Sequence, residues 1–249
     1  MKIRKVLLLL VFMSNGASIV SAEIRNIAVY SNHSYNTDRI NEIYENTFIY
    51  KANRNTSLLG RIYYDKRKSW DNKIFFIGPV INFSKYTYCE FIYGHGEDAD
   101  GNNSDYYLIE ATRELPEILY GAGYKHGSLK GFYFDIISPF IKYWIMDDLS
   151  IRSRFYLVRD SNKDFEYALL GELEYKILKN MILNAGGTTG DRLFDAEYGN
   201  EGNKNFYSVF SGIKYLFSEK TYIKYIYEML IQENNIEVRK NTFVLDFKF

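Results

Sequence analysis

Thr242-Phe243-Val244-Leu245-Asp246-Phe247-Lys248-Phe249 is the stretch whose reading decides the fold. Strand side chains alternate with period two, so Phe243, Leu245, Phe247 and Phe249 fall on one face and Thr242, Val244, Asp246 and Lys248 on the other. One face is greasy and the other wettable. The same alternation recurs upstream. In residues 222–232, Ile223, Tyr225, Tyr227, Met229 and Ile231 share a face while Lys224 and Glu228 lie opposite. Residues 206–217 set Tyr207, Val209, Ile213, Tyr215 and Phe217 against Lys214. Residues 166–177 set Tyr167, Leu169, Leu173, Tyr175 and Ile177 against Glu166, Glu172, Glu174 and Lys176. In residues 148–159, Leu149, Ile151, Phe155 and Leu157 oppose Ser150, Arg152, Arg154 and Tyr156.

The amino terminus indicates export. Lys2, Arg4 and Lys5 precede an apolar run over 6–13, and Val20-Ser21-Ala22 offers a small-residue cleavage site, the pattern of a secretory signal peptide over residues 1–22. Residues 23–249 remain as one domain. No later stretch approaches the roughly 18 uninterrupted apolar residues of a spanning helix. The single cysteine, Cys89, excludes a disulfide framework and stands far from the cleavage site where a lipid anchor would need it. A formal net charge of zero supplies no basic field for nucleic acid, so that partner class is excluded. With 24 Tyr and 18 Phe against 3 Pro, the composition favours strands.

An exported chain of amphipathic strands is either a soluble β-sandwich or a barrel with its apolar face in lipid. A Lys or Arg at the bilayer midplane costs about 2–4 kcal/mol, so in a barrel the charged faces must look inward. Further strands are read at 181–190, 131–144, 117–127, 106–113, 86–95, 70–77, 57–66, 44–53 and 24–33. With 242–249 and the segments at 222–232, 206–217, 166–177 and 148–159, these make an all-β, transmembrane, antiparallel up-and-down barrel of about 14 strands, or about 12 if 24–33 and a neighbour lie outside the wall. Connections alternate in length. Those at 54–56, 114–116, 145–147, 178–180 and 218–220 are short, whereas 33–43, 96–105 and 191–205 are long and rich in Asn, Asp and Gly. This parity puts both termini on the periplasmic side. Two features fit less well: the connection at 78–85 is long for its side, and Pro139 stands inside a strand, where a bulge or an earlier strand end is expected.

The carboxy-terminal Phe249 and the strand ending on it resemble bacterial outer-membrane β-barrels, whose last strand is an assembly signal. More narrowly, Leu119-Tyr120-Gly121-Ala122-Gly123-Tyr124-Lys125-His126, the segment 132–143, Leu149-Ser150-Ile151-Arg152-Ser153-Arg154-Phe155 and Leu59-Gly60-Arg61-Ile62-Tyr63-Tyr64-Asp65-Lys66-Arg67 resemble the YaiO-type outer-membrane barrels. The match departs at Ser138-Pro139, where a Gly-rich strand is more usual. The resemblance implies an outer-membrane barrel associated with surface polysaccharide and brings no catalytic residues.

Three histidines restrict general-base chemistry. The sets that a rim enzyme would use are His126 with Ser128 and Asp135, and His95 with Glu97, Asp98 and Asp100. Asp98-Ala99-Asp100-Gly101-Asn102 spaces oxygen ligands as a Ca²⁺ loop does, but Asn103 occupies the position a cation loop gives to Gly, so a solvated acidic loop is the default. Gly186-Gly187-Thr188-Thr189-Gly190-Asp191 lacks the Lys-Ser/Thr and helix of a phosphate loop and reads as a strand end. No cofactor or metal is expected.

The functional reading is a channel or transport barrel passing a small hydrophilic solute or a surface glycan. Its inward path is Arg61, Lys125, Arg152, Arg154, Glu172, Glu174, Lys214, Lys224 and Glu228, with Arg152 and Arg154 pairing across to Glu172 and Glu174. Outer-membrane lipid is one expected partner, and barrel-assembly machinery engaging Phe247 and Phe249 is the other. The alternatives are an outer-membrane enzyme working at the rim, and a structural barrel that binds ligands through its loops.

Overall fold

The computed structural model describes residues 23–36, 40–67, 70–98, 101–129, 132–161, 165–192, 204–232 and 237–249. The signal peptide read over 1–22 lies outside them. The described residues form β1 (Ile24–Tyr35), β2 (Ile40–Lys51), β3 (Thr56–Arg67), β4 (Trp70–Ser84), β5 (Thr87–Asp98), β6 (Asn103–Glu114) and β7 (Ile118–Leu129), followed by β8 (Phe132–Met146), β9 (Leu149–Asp160), β10 (Phe165–Leu178), β11 (Met181–Arg192), β12 (Lys204–Ser218), β13 (Thr221–Gln232) and β14 (Glu237–Lys248). Each strand pairs antiparallel with its chain neighbours, and β1 pairs with β14, closing a 14-strand barrel. Twelve strands and an open sandwich are both ruled out.

Closure joins the segment with which the sequence reading began to the first strand. Tyr30 lies opposite Phe243, Val29 opposite Val244 and Arg25 opposite Lys248, and the Phe249 amide donates to the Ile24 carbonyl at 2.8 Å. At the same end Glu23 accepts from Lys51 at 3.2 Å and pairs with Lys248 at 2.9 Å, and these two ammonium groups hold its carboxyl below the usual carboxylate range.

The end carrying both chain ends has tight connections at 52–55, 85–86, 115–117, 147–148, 179–180 and 219–220. The suspect connection at 78–85 is a two-residue turn, because β4 runs on to Ser84. Four of these turns are entered through a register shift, after Asn82, Trp144, Lys176 and Leu216. Bulges therefore sit at the turns, where an extra residue adjusts the twist. None sits at Pro139: Ala122 opposes Pro139 in an unbroken β7–β8 ladder, and the β8–β9 ladder passes from Ile137–Leu157 to Phe140–Arg154 in the same register. Pro79 in β4 repeats the device. A proline removes one donor, and these ladders absorb the loss without slipping. Gly78 beside Pro79 is required by close approach, since a Cβ there would lie 1.8 Å from the Phe91 carbonyl oxygen.

At the opposite end the loops expected at 33–43 and 96–105 are largely strand. β1 continues to Tyr35 and β2 starts at Ile40, while β5 continues to Asp98 and β6 starts at Asn103. Polar residues there keep their ladder bonds but lose apolar alternation, so periodicity alone ends the strands too soon.

The outer face is apolar all the way round. Every strand contributes at least one exposed large apolar side chain, among them Phe75 at 52 %, Leu169 at 45 % and Val209 at 53 % exposed. A monomer in water rarely shows a continuous apolar surface of this extent, and lipid satisfies it. Substituting Leu169→Arg in mid-strand is expected to lower the stability of the barrel refolded into lipid vesicles by about 2–4 kcal/mol. Equilibrium urea unfolding followed by Trp fluorescence reads the change.

Candidate functional site

The interior face is built by the residues that alternate with the exposed apolar ones. In the half farther from the tight turns, two apolar clusters stand among buried polar residues such as His33, Asn41, Asp65, Asn72 and Asp160. Tyr63, Ile74, Phe76, Tyr106, Phe134, Ile136 and Val158 form one buried cluster, and Ala168, Phe206, Leu230 and Val238 form another, with Tyr156 packed against both. Most of the charged residues lie at mid-height or nearer the turns, where ion pairs tie together strands that are not neighbours.

Two of these pairs run as chords across the interior. Arg154 on β9 pairs with Glu110 on β6, and its guanidinium stands 4.4 Å over the Phe140 ring. Lys224 on β13 reaches Glu172 on β10 at 3.9 Å. A shorter span joins Lys142 on β8 to Glu174 on β10. Glu172 also meets its cross-strand partner Arg152 at 3.8 Å and accepts from Asn184 at 3.2 Å, so one carboxylate gathers three donor groups. Further round, Lys240 pairs with Glu228 at 3.4 Å and Arg25 with buried Asp246 at 2.6 Å. Lys214 and Lys224 are direct cross-strand partners, a repulsive placement relieved where the Lys214 ammonium sits 3.9 Å from the Tyr222 ring centroid.

Around β3 to β9 the wall encloses a cavity of about 210 Å³ lined by Arg61, Glu90, Glu110, Lys125 and Arg154 together with Phe76, Ile92, Ile136 and Tyr156. Arg61 pairs with Glu45 at 3.4 Å and lies 5.9 Å over Phe76. Lys125, only 6 % exposed, stands 5.4 Å from the ring centroids of both Tyr106 and Phe134. Glu90 and Glu110 are direct cross-strand partners on β5 and β6.

Of the pairs expected from sequence, Arg152–Glu172 forms. Arg154 and Glu174 find other partners, because Arg154 lies opposite Leu170 and Glu174 opposite Ser150 in the β9–β10 register. Sequence reasoning missed Arg25, Glu45, Glu90, Glu110, Lys142, Asn184 and Asp246. Glu110 was findable, since it shares parity with Tyr106 and Leu108 while Tyr107 and Ile109 face outward.

The enzyme-like sets lie on the outer wall. The His126 ring bonds Asp135 at 2.9 Å and the Tyr124 hydroxyl donates to the same carboxylate at 2.7 Å; Ser128 is placed opposite Asp105 and Tyr133 in the ladders. His95 meets Asp105 at 3.0 Å, and Tyr93 donates to Asp105 at 2.7 Å. Tyr64 donates to Asp71 at 2.7 Å in the same diagonal geometry. Tyrosine repeatedly meets an acid on the following strand, as suits an aromatic girdle where apolar wall gives way to polar. Of the Ca²⁺-like loop, residues 99–100 lie outside the described residues. The Gly-rich segment 186–191 lies within β11.

No protein-family model matches the chain, and no curated protein matches it. The YaiO-type resemblance thus gains no family match. Among solved structures, the chain is similar to the CymD monoaromatic hydrocarbon channel, with TM-score 0.60 and 7 % identity over 91 % of this chain and 87 % of that one. It is similar to outer membrane protein Omp33 of Acinetobacter baumannii, with TM-score 0.55 and 13 % identity over 91 % and 99 % of the two chains. For OpdQ of Pseudomonas aeruginosa the TM-score is 0.51 and the identity 8 %, over 92 % and 98 %. At these identities the likeness is one of fold.

Removing one member of a buried or half-buried pair leaves a charge stranded. Glu110→Gln and Arg154→Met are each expected to destabilise the barrel by about 1–3 kcal/mol, and the double variant by less than the sum of the two. A double-mutant cycle from urea unfolding measures that coupling.

Proposed function

We propose that this protein is a channel-type barrel of the bacterial outer membrane, with both termini on the periplasmic side, passing a small solute through its interior. The observation that carries the reading is the inversion of an ordinary globular protein: a closed wall that is apolar outside, with ion pairs spanning its interior. Charge placed inside such a wall, at a cost in desolvation, has a use if an aqueous or polar passenger meets it. The fold is shared with outer-membrane proteins, one of them a channel for monoaromatic hydrocarbons, and this supports the reading.

Arg61, Lys125, Arg152, Arg154, Glu172, Glu174, Lys214, Lys224 and Glu228 line the route. Both signs of charge occur along it, six cations and three carboxylates, with Glu45, Glu90, Glu110 and Asp246 on the same inner face offsetting part of the positive excess. The chords narrow the passage, and the apolar clusters between the polar residues suit a solute with some apolar surface. A small solute fits these limits better than a long glycan. The outer-wall His–Asp pairs serve as part of the interfacial girdle under this reading, in preference to rim catalysis.

Mature protein refolded into planar bilayers is expected to give discrete conductance steps. Cutting both chords at once, with Glu110→Gln and Glu172→Gln, is expected to change step size or ion selectivity. An intact, heat-modifiable barrel without any conductance contradicts the proposal.

Assembly is proposed to run through β14. Phe247 and Phe249 stack at 6.3 Å beside the seam, where assembly machinery would engage the strand. Phe247→Ala with Phe249→Ala is expected to reduce the folded barrel recovered from outer membranes. Heat-dependent gel mobility reports the folded fraction, and unchanged recovery contradicts this role.

A further inference from the structure

On the inner face from β8 to β13, four cations gather round two carboxylates. Lys142 pairs with Glu174, and Lys214 and Lys224 lie within electrostatic reach of the same group. Glu172 takes Arg152 at 3.8 Å, Lys224 at 3.9 Å and the Asn184 amide at 3.2 Å. Four cations against two carboxylates leave two positive charges in excess. Asp246, which also acts on Lys214, is held by Arg25 at 2.6 Å, and that pair leaves the excess unchanged. The surplus falls on Lys214 and Lys224, which the β12–β13 register holds directly opposite each other. Lys224 has only its long contact with Glu172, and Lys214 has no ion pair among the described residues, its ammonium resting on the Tyr222 ring. A ring face attracts a cation without neutralising it. All six charged side chains are partly exposed, so a solute in the interior meets them.

We infer that Lys214 and Lys224 form a binding site for a small, doubly charged oxyanion, phosphate or a compact phosphate monoester. Like charges fixed opposite each other repel, and an anion between them turns the repulsion into two charge-assisted hydrogen bonds. A lysine ammonium is a compact point charge with three rotatable donors, which suits a tetrahedral oxyanion. Lys142 and Arg152 keep Glu174 and Glu172 engaged, so the carboxylates do not compete for the two lysines on equal terms. The local excess rejects a cation, and a single carboxylate leaves one positive charge unmatched. This inference rests on the channel reading for its biological use, where it makes the passing solute an anion, but the site itself can be measured without conduction.

Inorganic phosphate, methyl phosphate and acetate are the probes, at about pH 8, where the phosphates carry close to two charges. Calorimetry on the barrel refolded in detergent, at fixed ionic strength, is expected to show saturable phosphate binding at least about tenfold tighter than acetate. Lys214→Gln and Lys224→Gln are each expected to weaken phosphate about tenfold. Lys214→Arg is expected to keep most of the binding, which separates a lost charge from a misfolded variant. Lys85→Gln, which removes a charge from an exposed turn residue, is expected to change nothing. Methyl phosphate binding as tightly as phosphate assigns the site to monoesters, and weaker binding assigns it to the free ion. Phosphate no tighter than acetate, or weakened as much by Lys85→Gln as by Lys214→Gln, overturns the site. Saturable phosphate binding in a barrel that does not conduct upholds the site and removes the channel, whereas conductance without that binding keeps the channel and removes the site.

Discussion

Backbone hydrogen bonding in a medium without water is the constraint on which everything else in this barrel depends. Inside a bilayer an unpaired N–H or C=O costs several kcal/mol, so a sheet that enters lipid has to close on itself. The β1–β14 seam meets that demand, with Tyr30 beside Phe243 and the Phe249 amide on the Ile24 carbonyl. Once the edge is gone, side chains divide by parity alone. Apolar ones face outward on every strand, and whatever is left must be accommodated in a confined space of fixed circumference.

That confinement explains the ion pairs. Charges inside a closed wall cannot spread into bulk water, so they find partners over the distances the barrel permits, including across three strands from Arg154 to Glu110 and from Lys224 to Glu172. Where two like charges fall opposite each other, an aromatic ring or a more distant partner takes up part of the repulsion, as Tyr222 does for Lys214. Glu90 and Glu110, direct cross-strand partners, share a lining with Arg61, Lys125 and Arg154, and Arg154 pairs with Glu110. The apolar cluster around Tyr63, Phe76, Tyr106 and Phe134 fills the interior along β3 to β9.

Each of the fourteen strands was legible in part from period two, because one face of every strand carries exposed apolar side chains. Even the uncertain pieces, the strand at 24–33 and the one holding Pro139, are members of the barrel. What was not legible follows from what alternation does not encode. Strands run past the point where their outward residues turn polar, as at Ser34-Tyr35 and Glu97-Asp98, and there the pattern fades while the ladder continues. Partners three strands apart, such as Arg154 and Glu110, depend on barrel curvature, which a linear sequence does not display. The pairing of His126 with Asp135 could be guessed from proximity, but its place on the outer wall follows from parity: both share the face of Tyr124 and Ile137.

The seam is tested most directly by cross-strand nuclear Overhauser effects in detergent micelles, using amide and α protons of β1 and β14. Contacts linking Val29 to Val244 and Tyr30 to Phe243, with slow amide exchange on both strands, are the expected result. Absence of those contacts, with β14 amides exchanging as fast as a free edge, would contradict a closed barrel and the interior built on it.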